Sequence, residues 1–315
     1  MNTLLDRLYK LKKLIGNTPL YNICAEKNIF IKVEYYQLGG SIKMRSAFKV
    51  IEEAILDGSI NEDTVVIEST SGNFGIALAL ICRKLDLKFI PVIDPCISLY
   101  KKKKLELLCS HIVQITQKDE TGNYLLNRIK FIKNYLEENK NSFQPNQYKN
   151  KNCYLAYNAM MEEIKDQIDQ IDYIFISVSS GATVTGLSQH IKKYFPGIKI
   201  IAVDIEGSLI FSTITKERKL PGIGASKTSD FIALADIHDH VILSEEEIIS
   251  GCQKLFHEYG ILAGASGGAA FYAALQNIEN SEKKQNCLVI IPDSGDDYLE
   301  LIDYKCFEKT SYEIH

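Results

Sequence analysis

Tyr173-Ile174-Phe175-Ile176-Ser177-Val178-Ser179-Ser180-Gly181-Ala182-Thr183-Val184-Thr185-Gly186 reads as a short β-branched strand that stops in a loop of small residues and runs straight into a helix. The same order recurs along the chain. Ser69-Thr70-Ser71-Gly72-Asn73-Phe74-Gly75 follows the run Thr64 to Ile67 and precedes a helical pattern through Leu85, and Gly264-Ala265-Ser266-Gly267-Gly268 opens the helix Ala269 to Ile278. Gly39-Gly40-Ser41-Ile42-Lys43-Met44-Arg45 leads into the amphipathic run Val50, Ile51, Ala54, Ile55, with a stop at Gly58. Further strand runs are Ile29 to Val33, Phe89 to Ile93, His111 to Ile115, Ile198 to Val203, Val241 to Leu243 and Cys287 to Ile291. Leu4, Leu8, Leu11 and Ile15 place a helix at the start of the chain, ending near Gly16. Strands alternating with helices in this way specify an α/β protein with mostly parallel sheets flanked by helices.

The stretch from Glu137 to Asn152, rich in Lys and Asn and broken by Pro145, separates two sets of these units and is the expected lobe boundary. Two such lobes leave a cleft at the carboxyl ends of their strands, where ligands of open α/β sheets bind. A length of 315 residues suits two lobes, and 36 basic against 40 acidic side chains give a net charge of −4. That balance, with a pI near 5.9, offers no footprint for nucleic acid, and the basic run Lys101 to Lys104 reads as a solvated helix face. Charged residues interrupt the first leucines, so no secretory segment is expected. The longest uncharged stretch, Tyr259 to Ile278, carries too many Gly and polar residues for a membrane span. The eight cysteines form no CxxC pair and no zinc-spaced cluster, which points to a reducing cytoplasm, without metal or disulfide framework.

Each loop carries chemistry of its own. Lys43 falls in the first turn of a helix, where unpaired N–H groups and the macrodipole disfavour an ammonium. A lysine working there as a neutral amine needs its pKa lowered from about 10.4 to roughly 7 or 8, on the order of 4 kcal/mol. On this segment alone, a surface lysine snorkelling past the helix start is the better reading. The hydroxyls and N–H groups at residues 69–75 form a receptor for a carboxylate or phosphate, and those at 179–186 suit a phosphate dianion. Neither segment is a Walker A loop or a GxGxxG, so a nucleotide-binding Rossmann protein is disfavoured. A helix N-cap alone accounts for residues 264–268.

Taken together, and with Ile15-Gly16-Asn17-Thr18-Pro19-Leu20, Leu220-Pro221-Gly222-Ile223-Gly224-Ala225 and Pro292-Asp293-Ser294-Gly295-Asp296-Asp297-Tyr298, these segments resemble the fold type II pyridoxal phosphate enzymes of the cysteine synthase and cystathionine β-synthase family. The resemblance spans almost the whole chain and implies the two-lobed, tryptophan synthase β-like architecture. It implies a larger cofactor-anchoring domain from residues 1–36 and 146–315, and a smaller mobile one from 37–145. Glu206-Gly207-Ser208-Leu209-Ile210-Phe211, the Pro-Gly-Ile-Gly-Ala-Ser run to Ser226, Tyr124 to Arg128 and Asp303-Tyr304 resemble the siderophore-type branch, which joins O-phosphoserine to glutamate on the way to 2,3-diaminopropionate.

By this resemblance Lys43 forms the internal aldimine with pyridoxal 5′-phosphate and acts as base on the substrate Cα. Asn73 bonds the cofactor's 3′ oxygen. Thr70, Ser71, Asn73 and Gln147 hold the substrate carboxylate, Ser179, Ser180, Gly181, Ala182 and Thr183 cradle the phosphate, and Ser266 faces the pyridine nitrogen. A hydroxyl there does not force that nitrogen to stay protonated, which favours β-elimination to an aminoacrylate over transamination. Small amino acids are the implied partners and a homodimer the implied assembly.

Departures from the family pattern fall at Met44, where the family has Asp, leaving Arg45 without its expected support, and at Tyr157 to Ile164, which keeps only its end. Arg128 is the candidate guanidinium for a phosphate leaving group or a second dicarboxylate, weighed evenly against a solvated helix residue. Asp230 is the candidate activator of water, against a helix cap. O-Phosphoserine, O-acetylserine and cysteine, the last with release of hydrogen sulfide, compete as donors. A protein that kept the fold as a binding or regulatory partner is the reading of another class, and the joint presence of Lys43, Asn73 and Ser266 argues against it.

Overall fold

A computed structural model describes residues 3–70, 72–120, 122–281 and 283–303. Two sheets organise it. The first has six strands in the order β1-β2-β10-β7-β8-β9: β1 Leu20–Cys24, β2 Ile29–Val33, β7 Tyr173–Ser177, β8 Lys199–Ile205, β9 Asp239–Leu243 and β10 Cys287–Ile291. All its pairs are parallel except β1 with β2. The second has four parallel strands in the order β5-β4-β3-β6: β3 Val65–Ser69, β4 Phe89–Ile93, β5 Val113–Gln114 and β6 Ser142–Phe143. β10 and β4 are buried along their whole length, as strands covered on both faces must be, and their sequences are correspondingly apolar without alternation.

Helices cover both sheets: α1 Leu4–Lys12, α2 Lys43–Leu56, α3 Asn73–Leu85, α4 Leu99–Leu108, α5 Leu125–Glu138, α6 Asn152–Leu155, α7 Asn158–Gln167, α8 Ala182–Tyr194, α9 Glu245–Tyr259 and α10 Ala265–Glu279. The opening helix ends at Lys12 rather than at Ile15. Its Thr3 cap and Asp6 form a reciprocal capping box, and Leu4, Leu8 and Leu11 supply the buried stripe. A single apolar cluster runs from α1, α2 and α3 through β7 and β8, joining the two sheets across one core. The expected boundary segment is not wholly linker, since β6 lies inside it and pairs with β3.

The fold decides several residues that local sequence could not place. Arg45 is buried, and two carboxylates substitute for the missing aspartate. Its Nε and Nη2 reach Glu34 at 2.7 and 2.8 Å, and its Nη1 and Nη2 reach Glu163 at 2.7 Å each. Lys32 Nζ joins Glu163 at 2.9 Å and the Thr18 carbonyl at 2.7 Å, while Thr18 Oγ1 donates to Glu34 at 2.6 Å. Met44 is fully buried in the apolar core shared by the two sheets. The altered segment from Tyr157 to Ile164 buries Tyr157, Met160, Met161 and Ile164 in the shared core.

α9 and α10 meet through glycine. A Cβ built on Gly268 would lie 2.1 Å from Cys252 Sγ and 2.8 Å from the Cys252 backbone nitrogen. Gly268→Ala is therefore expected to destabilise the protein by about 1–3 kcal/mol, the overpacking cost exceeding the gain in helix propensity. Urea unfolding measures it, and a variant as stable as the parent contradicts this packing.

Candidate active site

The N-termini of α2, α3, α8 and α10 converge on one cavity of about 200 Å³ at the carboxyl ends of β3, β7 and β10. None of these four termini is closed by a side-chain cap, whereas α1, α4 and α9 are closed by Thr3, Ser98 and Ser244. Their first-turn N–H groups are thus available to an anion in the cavity.

The loop from β7 into α8 builds one wall from Ser179, Ser180, Gly181, Ala182 and Thr183. Gly181 has φ +82°, and a Cβ there would stand 2.8 Å from Ile232 Cδ1, so the turn admits only glycine without strain. The loop from β3 into α3 supplies Thr70, Gly72 and Asn73 opposite it, and Gln147 and Tyr148 close a third side. Lys43 and Ser266 line the same space from α2 and α10. Ser71 lies outside the described residues.

Lys43 is the group whose chemistry changes most. Burial pushes its pKa down, only partly opposed by Cys153 and by the negative charge of Asp293. No acidic residue stands in the first turn of α2 to offset this. The cavity therefore favours the neutral amine, and the surface-lysine reading of this segment does not hold.

Asp293 is the residue the sequence reading passed over. It follows β10 and is buried, and its carboxylate accepts from Asn73 Nδ2 at 2.7 Å, Tyr298 OH at 3.2 Å and Ser266 Oγ at 3.4 Å. Its backbone accepts from Gly264 N at 3.0 Å and bridges Ser41, and Ile42 N bonds the Pro292 carbonyl at 2.8 Å. The segment thereby fixes the starts of α2 and α10 with one turn of chain. Burial raises the Asp293 pKa, against the charge of Lys101 and the hydrogen bonds of Asn73 and Tyr298.

Lys101 corrects the expectation of a solvated basic face. It is 5% exposed, lines the cavity, pairs with Asp297 at 2.5 Å and stands 5.8 Å from the Tyr298 ring centre. Ser98 Oγ donates to the same Asp297 at 2.6 Å. The local signal was four consecutive lysines, and only the fold shows that the first of them turns inward.

Two candidates do not line the cavity. Arg128 on α5 is outside the cavity wall and pairs with Asp94 at 3.3 Å. Asp230 is exposed, just after Ser229, and also lies outside the wall. None of the described histidines lines it. Among the described residues no group of His, Cys, Asp or Glu is arranged to hold a metal ion, and no helix is long and apolar enough to cross a membrane.

An amine shifted toward its neutral form by burial, opposite a glycine turn with open amides, fits an aldehyde cofactor with an anionic tail. Comparison with known proteins agrees. The sequence matches the pyridoxal-phosphate dependent enzyme family over residues 11–293. Among solved structures, the O-acetylserine dependent cystathionine β-synthase of Helicobacter pylori is 30% identical, with a TM-score of 0.83 over 97% of this chain and 99% of that one. A hydrogen sulfide-producing enzyme of Fusobacterium nucleatum is 32% identical, with a TM-score of 0.83 over 95% of this chain and 98% of that one. The cysteine synthase of Entamoeba histolytica is 25% identical, with a TM-score of 0.83 over 96% and 92%. The chain belongs to the pyridoxal-phosphate dependent enzyme family and is an enzyme of fold type II, of the cysteine synthase and cystathionine β-synthase kind.

Proposed function

We propose that the chain catalyses β-elimination and β-replacement on a small serine-derived amino acid, with cysteine or O-acetylserine as the donor. The observation that carries this reading is the buried Lys43 amine facing the uncapped turn at 179–183 across one cavity. Pyridoxal 5′-phosphate, when bound, supplies an electron sink that weakens the Cα–H bond and lets the β-substituent depart. Lys43 would hold the cofactor's aldehyde carbon through Nζ and, once the substrate amine has displaced it there, would take the Cα proton on Nζ. The amides and hydroxyls of Ser179 to Thr183 would hold the phosphate, Asn73 the ring's 3′ oxygen, and Ser266 the pyridine nitrogen. Thr70, Ser71, Asn73 and Gln147 take the substrate carboxylate.

A donor with an uncharged β-substituent fits this wall better than O-phosphoserine. Of the two lysines lining the cavity, Lys43 is needed as an amine and Lys101 is already paired with Asp297. Arg128, which a phosphate leaving group or a glutamate nucleophile would require, is paired with Asp94. Residues 37–145 form the smaller domain in this reading and close over the cavity to keep water out, against a larger domain of 1–36 and 146–315. Bonds from Asn73 to Asp293 and from Ser98 to Asp297 link the two parts across that division. The assembly is a homodimer.

Mixing the cofactor-loaded protein separately with cysteine, O-acetylserine and O-phosphoserine tests the donor. The visible band is expected to shift with cysteine or O-acetylserine. A shift with O-phosphoserine alone, abolished by Arg128→Ala, contradicts this choice and restores the siderophore-type reading.

A further inference from the structure

We propose that Glu68 is a positioning residue that fixes the two halves of the substrate-carboxylate pocket against each other. The inference rests on the function proposed above and concerns a residue that does not itself line the cavity. Glu68 lies at the end of β3, 3% exposed, two residues before Thr70. One carboxylate oxygen accepts from Ser69 N at 2.9 Å, and the other accepts from Asn146 N at 2.5 Å. The Gln144 side chain and the Gln147 backbone N–H lie close enough to lower its pKa. A single buried carboxylate therefore ties the segment carrying Thr70 and Asn73 to the segment carrying Gln147. Asn146 is held with φ +52°, a conformation that most side chains avoid and that the Glu68 bond helps to impose.

The tie depends on the charge of Glu68. Ionised, the carboxylate only accepts, through both oxygens; protonation turns one oxygen into a donor and weakens its hold on the amides around it. Burial raises its pKa to about 7, against the hydrogen bonds from Asn146, Gln144, Ser69 and Gln147. The titratable groups facing it are Tyr148 beside Gln147 and Cys153 on α6. Burial raises both, so both remain neutral while Glu68 titrates. Beyond these two groups, Arg128 of α5 and Arg218 act on Tyr148, and Lys43 of α2 acts on Cys153. Substrate affinity accordingly rises as pH increases through about 7.

The test titrates holoenzyme with L-cysteine and with O-acetylserine from pH 6 to pH 8.5, following both the cofactor absorbance and the steady-state rate. In the parent enzyme the half-saturating concentration should fall as pH rises through about 7. In Glu68→Gln it should be raised about tenfold or more at pH 8, with kcat within about twofold, and its pH dependence in this window should be gone. The parent's own profile decides the matter if the variant does not fold: a half-saturating concentration flat across this range overturns the inference. So does a folded Glu68→Gln that saturates as the parent does. If neither amino acid moves the parent's band, the proposed function fails, and this inference with it.

Discussion

Replacing Lys43 by alanine is expected to leave the fold intact and to lower turnover by about 10²–10⁴-fold or more, the range lost when a positioned proton-transfer group is removed. The fold survives because, among the described residues, the Lys43 side chain makes no hydrogen bond or ion pair that holds an element in place. Burial pushes the amine toward its neutral form, and the α2 backbone is held by Ser41 and Ile42 through the Asp293 segment. The visible band of the loaded protein should change as well, because the covalent anchor is gone while the turn at 179–183 still offers its amides. The measurement is a pair of spectra and a single-turnover assay on the parent and the variant. A Lys43→Ala protein with the parent's spectrum and rate removes the chemical role of this residue.

The second large effect is on stability. Arg45→Met leaves Glu34 and Glu163 facing each other in a buried site with Lys32 as the remaining cation, and is expected to cost about 3–5 kcal/mol. Against a typical total of about 5–15 kcal/mol, such a loss is visible as a large shift in the urea midpoint. The pH dependence has a definite sign. Burial pushes the Glu163 carboxyl up, but the hydrogen bonds and charges of Arg45 and Lys32 outweigh it and hold the pKa at about 2, below its ordinary 4.5. A depressed carboxyl contributes stability that is present above 4.5 and lost as pH falls toward 2, so the gap between parent and Arg45→Met should narrow over that window. A variant within about 1 kcal/mol of the parent at neutral pH contradicts the account of this network, since it would match a mere surface substitution.

What the sequence reveals and what it hides follows from how far apart the deciding residues lie. The runs Ile29 to Val33, Phe89 to Ile93 and Cys287 to Ile291 coincide with β2, β4 and β10, because strands buried on both faces announce themselves as short apolar runs. β1 escapes this signal: it is an edge strand whose middle residues are exposed, so its composition is mixed. β6 has two residues, too few to carry a pattern.

The same distinction runs through the site. The loops at 70–73, 179–183 and 264–268 were legible because each is contiguous and each marks a strand-to-helix turn or a helix start. Asp293 was quoted only as part of a motif, since its partner Asn73 lies 220 residues away. The support of Arg45 by Glu34 and Glu163, 11 and 118 residues distant, was illegible for the same reason, and the absence of an adjacent aspartate pointed the wrong way. Lys101 shows the converse error, in which a strong local charge pattern masked an inward-facing side chain.

The arrangement as a whole makes one of two cavity lysines the cofactor's covalent partner. Borohydride reduction of the loaded protein, followed by proteolysis and mass mapping, separates them. A reduced pyridoxyl adduct on the peptide carrying Lys43 is the expected result, and an adduct on Lys101, or none at all, would contradict the account.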